Sequence, residues 1–108
     1  MAEYAEHRQS ERVSVDLDAE IDVDGNVSRG TVLNCSLHGL FLRTGEKLKD
    51  GDVIAIRIFL PGIESPIETT SRVIWTDWNE RKEVPGFGMN FISLTDDQAL
   101  LLRTFLYD

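Results

Sequence analysis

Two short clusters in this 108-residue chain combine residue types and spacing suited to recognition chemistry. Arg8-Gln9-Ser10-Glu11-Arg12 carries an arginine at each end, and Asn34-Cys35-Ser36-Leu37-His38-Gly39 brings an amide, a hydroxyl and a glycine into one short stretch. Each guanidinium is a rigid fork of donors that matches a pair of phosphate oxygens or the O6/N7 edge of guanine. Lysine would lose that fork. Asn34 offers a side-chain oxygen that accepts from the N–H groups of a base, Ser36 donates or accepts, and Gly39 lets the backbone turn sharply and come close to a ring. These are binding roles. Ser36 with His38 is the one sequence-local pair with catalytic potential, and no nucleophile elbow or oxyanion motif surrounds it, so no catalytic residue is assigned.

The elements that must position these clusters are mostly strands. From Val13 to Asp24 apolar and polar residues alternate without a break, which predicts a half-buried strand with an acidic outer face. Gly25-Asn26 marks a turn, and Arg29 to Asn34 a second strand. A tight corner at Ser36 to Gly39 leads into a third strand from Leu40, ending at Thr44-Gly45. After the Asp50-Gly51 turn come the apolar run Val53 to Leu60, a β-rich stretch from Pro66 to Trp78, and a last strand from Gly86 to Ile92. The period then changes. Thr95 with Gln98 fits a capping box, and Ala99, Leu102 and Leu106, with Leu101 and Phe105 beside them, fall on one side of a short closing helix. About six short strands separated by turns predict an all-β fold with a short C-terminal helix. An antiparallel barrel is favoured because closure removes free edges.

Composition narrows the function classes. The chain is 42% apolar, enough for one modest core. Its net charge of −8 would repel a long nucleic acid, since the bases are not gathered on one face. No apolar stretch approaches the roughly 18 residues of a membrane span, and residues 1–10 have no apolar leader core, so a cytoplasmic location is expected. Cys35 has no partner in the chain, and His7 and His38 stand far apart, so neither a disulfide nor a structural zinc site is expected. Cys35 is read as a small buried apolar residue, and Trp75 and Trp78 as packing, unless either faces the site and stacks on a guanine. Whether Arg72 faces a site or the solvent is left open.

Taken singly, an arginine pair near a terminus is commonly a solvated tail, and Asn-x-Ser-x-x-Gly is commonly turn chemistry. Their joint order carries more. An R-x-x-x-R arm followed by N-x-S-x-x-G between two strands resembles the PilZ domain family. The resemblance extends over Ser36 to Leu42, Ile56 to Leu60, Arg72-Val73-Ile74-Trp75 and Gly86-Phe87-Gly88-Met89-Asn90-Phe91 before the helix. It implies a six-stranded antiparallel PilZ-type β-barrel over 13–108 and a flexible N-terminal arm over 1–12. It also implies binding of cyclic di-GMP, without a further cofactor, through Arg8, Arg12, Asn34, Ser36 and Gly39. His7 stands where another arginine often precedes the motif, and His38 where a small residue is frequent. The implied role is that of a cyclic di-GMP effector in motility, pilus, biofilm or exopolysaccharide control. It would order its arm on binding and signal to a protein target, as a monomer or a homodimer. The alternative is a PilZ-like adaptor that works by protein contact and binds no nucleotide.

Overall fold

The computed structural model describes residues 11–77 and 84–107. The alternating segment forms β1 (Val13–Val23), with Leu17, Ala19 and Ile21 buried and Asp16 and Asp18 exposed. A bulge between Ser14 and Leu17 interrupts its pairing. The following turn is Asp24-Gly25 rather than Gly25-Asn26: both residues have positive φ, 51° and 86°, and Val23 pairs with Asn26. A two-residue loop of that kind matches the twist of the flanking strands. β2 (Asn26–Cys35) therefore begins at Asn26 rather than Arg29, because turn geometry and not apolar content sets where the ladder starts.

β3 (Gly39–Thr44), β4 (Val53–Ile58), β5 (Ile67–Asp77) and β6 (Gly86–Ser93) follow, and α1 (Asp96–Tyr107) comes last. The strands close an antiparallel barrel in the order β1-β2-β3-β6-β5-β4. Two three-stranded meanders, β1-β2-β3 and β4-β5-β6, are thus joined by two seams, β1 with β4 and β3 with β6. Each seam satisfies strand edges that would otherwise stand open.

Inward-facing residues fill the barrel: Ile21, Val32, Leu40, Leu42, Ile56, Ile58, Val73, Phe87 and Met89 are all buried. Outside, Arg29, Glu20, Arg57 and Glu68 lie in register across β2, β1, β4 and β5, so charge alternates along the row. Arg57 Nε meets Glu20 Oε1 at 3.1 Å. The capping box forms as expected: Gln98 N–H donates to Thr95 Oγ1 (3.1 Å), and Thr95 N–H donates to Gln98 Oε1 (3.0 Å). Gln98 Nε2 also donates to the Glu68 carbonyl, which moors the helix start to β5. Leu102 and Leu106 join the core. Leu101 and Phe105, one position round the helix from that stripe, lie at the exposed margin instead. Among the described residues, no helix is long and apolar enough to cross a membrane.

Candidate functional site

Register brings the two sequence clusters together. β1 starts where β2 ends, with Val13 opposite Cys35 and Ser14 opposite Asn34. The residue before β1 therefore arrives beside the corner that follows β2. There Arg12 Nη1 donates to Asn34 Oδ1 at 2.8 Å, on an exposed surface. The segment entering β1 is also held from its other side, where Tyr107 Oη donates to the Glu11 carbonyl at 2.7 Å. Arg8 and His7 lie outside the described residues.

Ser36 is buried and shapes the corner. Its N–H donates to the Gly39 carbonyl (2.9 Å), and its Oγ accepts from the His38 backbone N–H (3.1 Å). Such a hydroxyl-to-backbone bond two residues on is the local alternative to a ladder bond that serine favours at turns. It is the His38 backbone that meets Ser36, while the His38 side chain is exposed. Gly39 is needed for a reason other than a left-handed turn, since the positive-φ glycines are Gly25, Gly51 and Gly62. A Cβ at Gly39 would lie 2.0 Å from the Met89 carbonyl oxygen and 3.0 Å from Asn90 Cα. Glycine lets β3 come close to β6. The His38 carbonyl accepts from Phe91 N–H (2.8 Å) at the same seam.

Cys35 is fully buried beneath this corner, and its Sγ donates to the Ser36 carbonyl (3.4 Å). Burial pushes the thiol up to about 12, against a smaller downward pull from the Arg12 charge. A thiol that keeps its proton is a poor nucleophile, which agrees with the packing role.

The barrel surface beside Asn34 carries groups that the sequence alone left aside. Asn34, Phe41, Gly88 and Trp75 occupy one row across β2, β3, β6 and β5. Phe41 and Trp75 meet with ring centroids 5.4 Å apart at a 36° tilt. They lie over strand positions that have no side chain: a Cβ on Gly86 would sit 2.1 Å from Phe41 Cζ, and one on Gly88 2.0 Å from Trp75 Nε1. Trp75 nevertheless remains 45% exposed. The next row is Gly39, Asn90 and Arg72, in which Asn90 and Arg72 are exposed. Arg72 and Trp75 thus border the Gly39 corner, whereas Trp78 lies outside the described residues. The pattern Gly86-x-Gly88-x-Asn90 was the available signal, since a strand face stripped of side chains implies that something from its neighbours lies across it. Guanidinium forks, an amide and an aromatic plate on one surface suit a planar, anionic ligand. Among the described residues, no cluster of His, Cys, Asp or Glu could hold a metal ion.

The family model of the PilZ domain matches residues 6–108. No curated protein matches the sequence. Among solved structures, the chain is similar to the Bacillus subtilis inhibitor of motility MotI/DgrA (TM-score 0.75, 20% identity), covering 91% of this chain and 47% of that one. It therefore spans about half the length of that protein. The PilZ domain of YcgR from Escherichia coli, solved with c-di-GMP, matches with TM-score 0.71 and 15% identity over 90% of this chain and 86% of that one. The PilZ domain of CeSA from a cellulose-synthesizing bacterium matches with TM-score 0.64 and 18% identity, covering 89% and 95%.

Proposed function

The chain belongs to the PilZ domain family, and on that premise we propose that it is a cytoplasmic effector that binds cyclic di-GMP at the Arg12–Asn34 corner. The observation that carries this reading is the meeting of Arg12 with Asn34 beside Ser36 and Gly39, next to the exposed Trp75 ring. Arg12 takes a phosphate or a guanine edge. Asn34 reads the base, Trp75 offers it a stacking face, and Arg72 supplies a second cation across Asn90. Arg8, at the other end of R-x-x-x-R, completes the grip, and closing it draws the segment before Glu11 onto the barrel. The energy of binding is partly spent on that ordering, and the new surface is what a protein target reads. Control of motility is one output such an effector would serve, since the similar MotI/DgrA is an inhibitor of motility.

Calorimetric titration of the purified protein with cyclic di-GMP, GTP, GMP and cyclic GMP tests this. Cyclic di-GMP is expected to bind in preference to the others, because the site uses two phosphates and guanine together. Added salt should weaken binding by screening partly exposed charges. Equal affinity for cyclic GMP would overturn the bipartite site, and no binding at all would leave the adaptor role.

A further inference from the structure

Beyond Phe41 on β3, in the direction away from Gly39, the outer face of β1, β2 and β3 holds a concavity of about 840 Å³. That volume lies within the range of sites that enclose a ligand or a few side chains. Its floor is one row of the ladder, with Asp18 opposite Thr31 and Thr31 opposite Arg43; Arg29 stands beside it. Its rims are apolar. Phe59 is fixed by its N–H donating to the Asp18 carbonyl (3.0 Å). Val84 precedes Pro85, whose carbonyl accepts from Thr44 N–H (3.3 Å). Both rim side chains are exposed.

Asp18 and Glu20 bring two negative charges to the groove and Arg29 and Arg43 two positive ones, but they are not paired with one another. Glu20 is engaged by Arg57, whereas Arg29 and Arg43 have no ion pair with any described residue. Among the described residues, Arg43 Nε is the buried side-chain nitrogen or oxygen without a hydrogen-bond partner. A buried donor is normally satisfied, so this one marks a place where an acceptor is wanted. A small anion would answer the arginines and leave Phe59 and Val84 without a role. An extended peptide answers both, because its side chains alternate along its length and it can set a carboxylate between two apolar groups.

We propose that this groove docks an extended segment of a partner protein in which an acidic side chain, received by Arg43 and Arg29, is flanked by apolar side chains seated on Phe59 and Val84. The inference does not depend on the nucleotide reading, because no member of either arginine or Asn-x-Ser-x-x-Gly motif lines the groove.

The test uses the full chain labelled with nitrogen-15 and three blocked pentapeptides, Leu-Ala-X-Ala-Phe with X as Glu, Gln or Lys. The Glu peptide is expected to shift the amides of Thr31, Arg43 and Val84 saturably. The Gln peptide should bind roughly tenfold more weakly, and the Lys peptide should leave those amides unmoved. Arg43→Gln should remove most of the Glu-peptide response while keeping the dispersed amide spectrum of a folded barrel. Arg12→Ala should leave that response intact, which separates this groove from the nucleotide site. Equal shifts from the Glu and Lys peptides, no saturable shift, or an unchanged response in Arg43→Gln would overturn the proposal. So would saturation of the same amides by inorganic phosphate or cyclic di-GMP with the Glu peptide silent, which would make the groove a small-anion site.

Discussion

Arg12 and Asn34 are 22 positions apart in sequence, yet Nη1 of the first donates to Oδ1 of the second at 2.8 Å. The bond is exposed, so it adds little to stability. It does hold one guanidinium of the R-x-x-x-R motif against the corner, which in the proposed reading lowers the ordering cost of binding. Arg12→Ala should therefore separate function from folding. Loss of a charge-assisted contact costs roughly 1.5 to 3 kcal/mol, on the order of tenfold to a hundredfold in affinity for cyclic di-GMP. The melting temperature should move by no more than about 2 °C. Arg8→Ala should weaken binding similarly. If titration showed both variants binding like the wild type, the clamp assignment would fail.

Gly39 and Gly45 stand at opposite ends of β3 and make a matched comparison. At Gly39 a Cβ collides with the Met89 carbonyl, which belongs to backbone and cannot swing aside; at Gly45 nothing lies within 4 Å. Gly39→Ala should destabilise the barrel by about 1 to 3 kcal/mol or more, through strain at the β3–β6 seam. Gly45→Ala should be neutral or stabilising by about 0.4 to 1 kcal/mol, since it restricts only the unfolded chain. Urea unfolding of the two variants decides it; equal midpoints would refute the close-approach account of Gly39.

Cys35 sets a pH dependence whose sign follows from burial. The folded state holds the thiol proton up to about 12, whereas an exposed thiol loses it near 9.0. Below about 9 the thiol is protonated in both states and contributes no slope. Between about 9 and about 12 the unfolded chain ionises while the folded one does not, so stability falls as pH rises. Urea midpoints at pH 7.5 and 10 should differ more in wild type than in Cys35→Ala. Iodoacetamide should label the native protein slowly and the unfolded chain fast. Rapid native labelling would contradict the buried, neutral thiol.

Tyr107 reaches back from the end of α1 to the Glu11 carbonyl. Tyr107→Phe removes that donor while keeping the ring, at a cost of about 0.5 to 1.5 kcal/mol. Amide exchange at Arg12 and Val13 should quicken, and affinity for cyclic di-GMP should fall, though by less than in Arg12→Ala. Unchanged exchange at both amides would show that the helix does not steady the start of β1.

Arm closure can be read by amide exchange over residues 1–12 with and without cyclic di-GMP. Protection is expected to rise with ligand in the wild type and much less in Arg8→Ala. Equal protection in both states, despite tight binding, would point to another route of signalling.

What was legible in the sequence was whatever depends on near neighbours. The alternation of β1, the Thr95–Gln98 box and the corner at Ser36 to Gly39 are all local patterns, and each appears in the fold. The role of Gly39 was not legible, because it depends on Met89, which lies on a strand reached only through the β3–β6 seam. Nor was the outward placing of Trp75. A register shift between Val73 and Trp75 breaks the alternation, leaving Ile74 and Trp75 both exposed. Arg72, left open by the sequence, takes its place from pairing with Asn90. The first turn lies one residue earlier than its glycine suggests, because Asp24 itself adopts the left-handed conformation.

In the proposed reading, the seam between the meanders gives the ligand a mechanical office. Arg12, Asn34 and Phe41 belong to one meander, Trp75 and Asn90 to the other, so a molecule gripped by both faces is a staple between two halves of the chain. At a hundredfold excess over its dissociation constant such a staple adds about 2.7 kcal/mol to the work of parting them. A chain cut in the β3–β4 connection should therefore yield two fragments that reassemble more readily when cyclic di-GMP is present, turning the messenger into a chemical inducer of fragment complementation.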